Sequence, residues 1–257
     1  MPPMRDLTGK SILITGGGSG IGAATASTLV ERGARVTISG RRADRLADTA
    51  TQLGDAVTIS VGDVTIAEDR ARMIDAAVNH GDGRLDGLIN NAANMYRGAI
   101  TDLDQTQLLE LFDTNVASAM VLTGLAVPHL EETRGCVIFL GSVHTQRAFP
   151  GASPYAATKA AVETLTAVLA AELGPKDIRV SCVRPGAVPS EINVRAGLAT
   201  SEENLARLES LAPAHALGRI GTGKDIGEAI AYLLAAQWVT GAVMTVDGGL
   251  GLGVTNA

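Results

Sequence analysis

Short apolar runs alternate with longer segments of helical periodicity along most of the chain. Runs that are apolar throughout are typical of strands buried on both faces, and the intervening segments repeat their apolar residues every three or four positions. This alternation predicts βαβ units and therefore an α/β fold: a doubly wound, Rossmann-like parallel sheet of seven strands with helices on both faces. The predicted strands are 11–15, 35–39, 56–61, 87–90, 135–141, 178–184 and 242–246.

One long connection interrupts the alternation, over about residues 190–221. Its middle, 201–208, has the pattern of a short amphipathic helix. Loops of this length are usually functional, so we expect a flap over a substrate site. No linker or repeat is visible elsewhere, and we expect residues 1–257 to form a single dinucleotide-binding domain.

Composition narrows the possible functions. A formal net charge of -6 argues against a general affinity for nucleic acid or for anionic membranes. The N-terminus lacks the apolar run of a secretory signal, and no later stretch is expected to be long enough and apolar enough to span a bilayer, so the prediction is a soluble, cytoplasmic protein. The four histidines and two cysteines lack the spacing of a metal site, and no metal is assigned.

A glycine-rich turn directly follows the first strand, from Thr15 to Gly22. Glycines in such a turn let the backbone approach a pyrophosphate, and the following helix presents its N-terminus to the anion. An ordinary glycine loop is the alternative when the motif stands alone. The residues assigned to the cofactor here are Gly16, Ser19, Gly20, Ile21 and Gly22.

Two arginines, Arg41 and Arg42, follow the second strand, where an acidic residue is expected if the ribose carries a free 2′-hydroxyl. They favour a 2′-phosphate, so NADP(H) is predicted over NAD(H); solvated arginines opening a helix are the alternative.

Further along, Asp63-Val64 are placed near the adenine and Asn91-Ala92 at the ligand crevice, with local turn formation as the alternative for both.

Tyr155 and Lys159 are four residues apart in a helical segment, so their side chains project from one face. Such a pair alone is usually structural, but Ser142 follows the fifth strand and reaches the same sheet edge. An ammonium about 4 Å from a phenol at an effective dielectric of 20 lowers the phenol's pKa by roughly three units, which predicts a tyrosine that titrates near neutrality. Asn115 is anomalous because asparagine is a poor residue for a helix interior.

In this order the residues resemble the short-chain dehydrogenase/reductase family, in its short single-domain branch, over about residues 7–249. The matching motifs are Thr15 to Gly22, Asn90 to Ala93, Asn115, Ser142, Tyr155, Lys159, Arg184-Pro185-Gly186 with Ser190, Gly218-Arg219 with Asp225-Ile226, and Asp247-Gly248-Gly249. The resemblance implies an NADP(H)-type carbonyl reductase that is a homotetramer or homodimer, built through helices at about 104–130 and 155–173.

The resemblance also implies roles for the site residues. Tyr155 would donate or accept the proton, Ser142 would bind the substrate oxygen, and Lys159 would lower the tyrosine pKa and hold the nicotinamide ribose. Asn115 would bend its helix and support a water relay to Lys159. The residues implied to flank the nicotinamide are Pro185, Gly186, Val188 and Ser190.

The substrate is predicted to be a small carbonyl or alcohol compound, and a mostly apolar, low-charge lining is expected to suit a neutral ketone. His144, Phe149 and Asn94 are placed in that lining, with packing or solvent contact as the alternative for each. Two other functions stay open from the sequence: an NAD-dependent alcohol dehydrogenase, and a dinucleotide-binding protein without catalysis.

Overall fold

The sheet of this protein contains seven parallel strands in a computed structural model that describes residues 6–253. They are β1 (Ser11–Thr15), β2 (Arg35–Gly40), β3 (Val57–Val61), β4 (Gly87–Asn90), β5 (Cys136–Leu140), β6 (Arg179–Pro185) and β7 (Val243–Val246). Their order across the sheet is β3-β2-β1-β4-β5-β6-β7. The predicted seven-stranded, doubly wound sheet is confirmed, and each predicted strand end lies within one residue of the observed end.

Helices cover both faces of the sheet. They are α1 (Gly20–Glu31), α2 (Ala43–Leu53), α3 (Ala67–His80), α4 (Gln105–Phe112), α5 (Ser118–Thr133), α6 (Ser153–Leu173), α7 (Ile192–Arg195), α8 (Ser201–Glu209) and α9 (Gly223–Ala235). Apolar residues of α1, α2 and α9 pack on one face, and those of α3, α5 and α6 pack on the other. Because both faces are covered, all five residues of β1 are buried, which explains why this strand is apolar rather than alternating.

The chain reverses its winding direction between β1 and β4, which are neighbours in the sheet although β2 and β3 intervene in sequence. In a doubly wound sheet, this reversal leaves a crevice at the carboxyl ends of the strands, where ligands bind. The glycine-rich turn follows β1, and Asn91 follows β4. Both therefore lie at the crevice, as their positions after strands predict.

Helices α4 and α5 are joined through a π-helical turn, Asp113–Ala117, into one helical segment, Gln105–Thr133. By length and composition alone, this segment is apolar enough to cross a bilayer, so the expectation that no such stretch exists is wrong. Small and apolar residues fill it because its inner side packs on the sheet, where Leu122 and Leu130 are fully buried. Its outer side exposes further apolar residues, including Met120 and Val121.

The predicted flap contains α7 and α8. The predicted amphipathic helix is confirmed as α8, which begins with a capping box formed by Thr200 and Glu203. Asn204 on the inner side of α8 is buried; its amide donates to the carbonyl of Ser190 at 2.9 Å, and its oxygen accepts from Asn193 at 2.8 Å. These bonds fix α8 against the start of the flap, so the side chains of α8 have a defined position above the crevice.

Candidate active site

Tyr155 and Lys159 lie on the buried side of α6, at its N-terminal end. Tyr155 is 8% exposed and Lys159 is 4% exposed, and both line the cleft at the carboxyl edge of the sheet. The Lys159 ammonium lies 5.6 Å from the centre of the Tyr155 ring and donates a 2.8 Å hydrogen bond to the carbonyl of Leu140, the last residue of β5. The four-residue spacing therefore brings a phenol and an ammonium into one small volume, as predicted.

Ser142 lies two residues beyond the end of β5 and is buried in the same cleft. Its Oγ lies 3.0 Å from Nδ1 of His144 and accepts from the His144 backbone N–H at 3.3 Å. The His144 ring packs edge-on against the ring of Tyr155, with centroids 5.2 Å apart. The structure thus brings Ser142 and Tyr155 together and adds His144 as a direct neighbour of both.

Asn115 lies in the π-helical turn that interrupts the long helical segment. Its Oδ1 accepts from the backbone N–H of Asn94 at 2.7 Å, and its Nδ2 donates to the Asn94 carbonyl at 3.0 Å and to Thr158 Oγ1 at 3.1 Å. Thr158 immediately precedes Lys159, so Asn115 ties the loop after β4 to the helix that carries the lysine. The water relay that the resemblance implies stays a prediction.

The pKa of Tyr155 differs from the sequence expectation. Burial raises the pKa of the phenol to about 12, and a hydrogen bond with Ser142 lowers it only in part. Burial lowers the pKa of Lys159 to about 8. The prediction of a phenol near neutrality assumed an ammonium about 4 Å away at an effective dielectric of 20. In the structure that ammonium is bonded to a carbonyl instead, and the desolvation of the phenol dominates.

His144 is predominantly neutral at physiological pH. Burial, together with the positive charges of Arg97, Arg207 and Lys159, lowers its pKa to about 4. A neutral imidazole carries one ring proton, so when Nδ1 carries it the Nδ1–H donates to Ser142 Oγ and the hydroxyl proton of Ser142 stays available to another acceptor. His144 can therefore orient the hydroxyl of Ser142 without adding charge to the site.

This shift predicts a measurable pH dependence of stability. Between about pH 6.5 and pH 4, the unfolded chain protonates His144 while the folded protein does not, so the unfolded state binds more protons and stability falls as the pH falls. We expect this residue alone to remove about 2 kcal/mol of the free energy of unfolding between pH 7 and about pH 5. Urea unfolding of wild type and His144→Gln at both pH values measures it, and equal pH dependence in the two proteins would contradict the assignment.

The glycine-rich turn forms a cradle at the N-terminus of α1. Gly16 has a φ of +69°, and a Cβ on Gly22 would lie 2.3 Å from the Gly16 carbonyl oxygen, so neither position accepts a larger residue without a shift. Ser19, the N-cap, makes no side-chain capping bond to the helix. The free N–H groups of the first turn therefore face the cleft and are available to an anion. These features fit the pyrophosphate of a dinucleotide, with Gly20 and Ile21 also lining the cleft.

Arginines cluster beside this cradle, at the end of β2. Arg42 donates to Ser19 Oγ at 3.0 Å and pairs with Glu191 at 2.6 Å, while Arg41 lies 3.7 Å from a carboxylate oxygen of Asp63. Arg45, one helical turn into α2, lies 3.9 Å from Glu191. The cluster has more guanidinium groups than carboxylates, so it retains positive charge beside the place where a 2′-phosphate is expected.

Most other predicted cofactor residues also line the cleft, although some have structural partners. Asp63 accepts from the backbone and the hydroxyl of Thr65, which supports its alternative role in a turn. The amide of Asn91 donates to the carbonyls of Thr15 and Gly16, so it holds the cradle to β4. The remaining residues of this group that line the cleft are Val64, Ala92, Pro185, Gly186, Val188 and Ser190.

Charged side chains at the substrate end of the cleft were not assigned from the sequence. Arg97, in the loop after β4, and Arg207, on α8, line its substrate end together with His144 and Phe149. The expectation of a low-charge lining is therefore wrong. The helical period indicated only that α8 is amphipathic, and α8 presents Arg207 to the cleft because Asn204, one turn earlier, fixes the inner side of the helix.

Glu163 was also not assigned from the sequence, and it holds residues next to Ser142 and Lys159 in place. It lies one turn after Lys159 on α6, and its carboxylate accepts from Arg184 at 2.9 and 2.7 Å and from the Thr145 hydroxyl at 2.9 Å. The same Thr145 hydroxyl donates to the carbonyl of Ser142 at 2.9 Å. The four-residue spacing after Lys159 was the available signal for this residue.

The chain is similar in sequence to known oxidoreductases. Residues 16–251 match the family model described as "Enoyl-(Acyl carrier protein) reductase". The chain is 37% identical to an uncharacterized oxidoreductase of Methylorubrum extorquens over 96% of this chain and 100% of the relative. It is 33% identical to dehydrogenase/reductase SDR family member 4 of Sus scrofa, over 95% of this chain and 88% of the relative.

Solved structures of similar proteins have the same fold. The 3-ketoacyl-(acyl-carrier-protein) reductase of Brucella melitensis, solved in complex with NADH, has a TM-score of 0.86 at 27% identity and covers 95% of this chain and 99% of its own. A short-chain dehydrogenase/reductase of Serratia marcescens has a TM-score of 0.85 at 33% identity, over 96% of this chain and 100% of its own. The chain belongs to the short-chain dehydrogenase/reductase family of dinucleotide-dependent oxidoreductases.

Proposed function

We propose that this protein is an NADP(H)-dependent carbonyl reductase, which transfers a hydride to a ketone and a proton to its oxygen. The observation that carries the proposal is the convergence of Tyr155, Ser142 and Lys159 on one cleft that also contains the glycine cradle. A protein that only binds the dinucleotide does not need a buried phenol beside a buried ammonium, because burying these groups costs stability.

The chain's own residues account for the proton and for the orientation of the carbonyl. NADPH, when bound, supplies the hydride that reduces the carbonyl carbon. The Ser142 hydroxyl, oriented by His144, donates a hydrogen bond to the carbonyl oxygen and places it beside Tyr155. Tyr155 gives its proton to the same oxygen as negative charge develops there. Lys159 stabilises the phenolate that remains, at the end of β5.

The raised pKa of Tyr155 keeps the phenol in the protonated form that carbonyl reduction needs. A phenol whose pKa is about 12 carries its proton at neutral pH, which is the form required to protonate a carbonyl oxygen. Lys159, with a pKa of about 8, is largely charged at the same pH. The protein is therefore in its proton-donating form before substrate binds.

The preference for NADP(H) rests on the end of β2. Arg41 and Arg42 occupy the positions where an acidic residue would repel a 2′-phosphate, and guanidinium groups bind phosphate through paired hydrogen bonds. Glu191 neutralises part of this charge through Arg42 and Arg45, whereas Arg41 has a 57% exposed side chain and a longer contact with Asp63. Arg41 is therefore the residue most available to a phosphate.

A homodimer or homotetramer is proposed on the exposed apolar side of the long helices. Leu109, Met120, Val121 and Leu125 on the segment 105–133, with Val168 on α6, are each more than 40% exposed. Such a patch is typical of an interface between subunits. Sedimentation equilibrium of the full chain tests it, and a monomer at all accessible concentrations would contradict it.

The first test of the proposed function is NADPH consumption by the purified protein with a varied panel of ketones. NADPH and NADH binding are measured separately by calorimetry. Ketone-dependent consumption supports the reductase. Tight NADPH binding without consumption for any carbonyl compound in the panel would contradict it and favour the binding protein without catalysis.

A further inference from the structure

The substrate end of the cleft contains positive charge without a matching negative charge. Among the described residues that line the cleft, the carboxylates are Asp63 and Glu191, and both lie at the cofactor end beside Arg41, Arg42 and Arg45. The residues around Tyr155 at the other end are Asn94, Met95, Arg97, His144, Phe149 and Arg207. Among these residues, carboxylates therefore neutralise part of the positive charge at the cofactor end and none of it at the substrate end.

Arg97 and Arg207 make no ion pair within residues 6–253. Arg97 is half-buried and donates a 3.1 Å hydrogen bond to the carbonyl of Pro150, which supplies no counter-charge. Both arginines line the same end of the cleft as His144, which contacts Ser142. Burial lowers the pKa of Arg97, and the charge of Arg207 acts in the same direction.

Arg97 is half-buried and Arg207 is exposed, and neither guanidinium is neutralised by a carboxylate of the described residues, so both are available to an anion that enters the cleft. Each guanidinium presents a planar fork of donors that matches the oxygens of a carboxylate or a phosphate. Because α8 is held by Asn204, the helix backbone that carries Arg207 does not have to move when an anion binds. The position of the two arginines in the cleft therefore suits a negatively charged group.

We propose that the physiological substrate is an anionic carbonyl compound, whose carboxylate or phosphate binds between Arg97 and Arg207 while its carbonyl oxygen contacts Ser142 and Tyr155. The inference rests on the proposed reductase function and names its substrate class. Phe149, Leu208 and Leu211 also line this end of the cleft, so the part of the substrate between the two polar groups is hydrocarbon.

The test compares charged and uncharged substrates of the same length. A series of straight-chain oxo acids is paired with the corresponding primary amides and with ketones that carry a terminal phosphate. The wild type is expected to have higher kcat/KM for an anionic member than for its matched amide. The better of the two anions identifies the acidic group. Equal or higher kcat/KM for the amides throughout the series would overturn the proposal.

Variants assign the preference to the two arginines. Arg97→Gln and Arg207→Gln are each expected to lower kcat/KM for the anionic substrate by about 10- to 100-fold and to lower kcat/KM for the matched amide much less. Arg147→Gln is the matched control, because Arg147 lies in the same region but donates to the Leu250 carbonyl and does not line the cleft. An equal loss for the acid and the amide would show that the arginines act on the fold rather than on the anion.

A binding measurement separates failure of this inference from failure of the proposed function. Calorimetry of the oxo acids with the protein in complex with NADP+ requires no turnover. Binding that Arg97→Gln weakens about 10-fold supports the anion site even if no substrate is reduced. If no anionic compound binds, the anion site is overturned. If only the amides are reduced, the anion site is likewise overturned, but the proposed reductase function stands.

Discussion

Tyr155→Phe is expected to lower kcat for ketone reduction by about 100- to 10,000-fold, because it removes the only proton donor proposed to act on the carbonyl oxygen. The substitution deletes one buried hydroxyl and leaves the ring that packs against His144. NADPH affinity is expected to change by less than about 10-fold, since the cradle and the arginines are untouched. Steady-state kinetics and calorimetric NADPH binding measure the two effects.

The matched control is Tyr232→Phe, which removes the hydroxyl of an exposed tyrosine on α9, outside the cleft. It is expected to have wild-type kcat. A Tyr155→Phe protein that keeps more than about a tenth of the wild-type kcat would exclude this phenol as the main acid. Loss of NADPH binding together with kcat would instead point to a role in the cofactor site.

Arg41→Asp combined with Arg42→Ala is expected to reverse the cofactor preference. Hydrogen bonds to a charged group contribute about 1.5–3 kcal/mol each, so loss of two guanidinium contacts is expected to lower kcat/KM for NADPH by about 100-fold or more. The new carboxylate at position 41 can accept from a ribose 2′-hydroxyl and repels a 2′-phosphate, so NADH is expected to become the better cofactor. Cofactor titrations at a saturating ketone concentration measure the ratio of the two kcat/KM values.

Arg35→Asp is the control for the added negative charge. Arg35 is the first residue of β2, and Arg41 directly follows the last residue of that strand. Its NADPH to NADH ratio is expected to stay at the wild-type value. An unchanged ratio in the double variant would remove the support for NADP(H). It would favour the NAD-dependent reading that the sequence also allows.

The sequence was sufficient for the fold and for the order of the site residues. Buried parallel strands are apolar on both faces, and helices repeat with a different period, so the alternation itself predicts the sheet. The glycine turn after β1 and the Tyr155 and Lys159 spacing on α6 are local patterns. Their positions in the structure follow from the strand or helix that carries them.

Properties that depend on several segments were not predictable in this way. The pKa of Tyr155 depends on how completely α6 is buried and on Lys159 bonding to the Leu140 carbonyl, which no local pattern reveals. Arg97 and Arg207 are far apart in sequence and line one cleft only because α8 packs beside the loop after β4. Glu191, which pairs with Arg42 at 2.6 Å, is another long-range partner of the same kind.

The most direct test of the central claim is transfer of a labelled hydride. NADPH that carries deuterium at the transferable position of the nicotinamide is incubated with the protein and a ketone that it consumes, and the alcohol is analysed by mass spectrometry and NMR. We expect one deuterium on the carbinol carbon, and the same labelled alcohol formed about 100- to 10,000-fold more slowly by Tyr155→Phe. Alcohol without deuterium on that carbon, or labelled alcohol formed equally well by Tyr155→Phe, would contradict it.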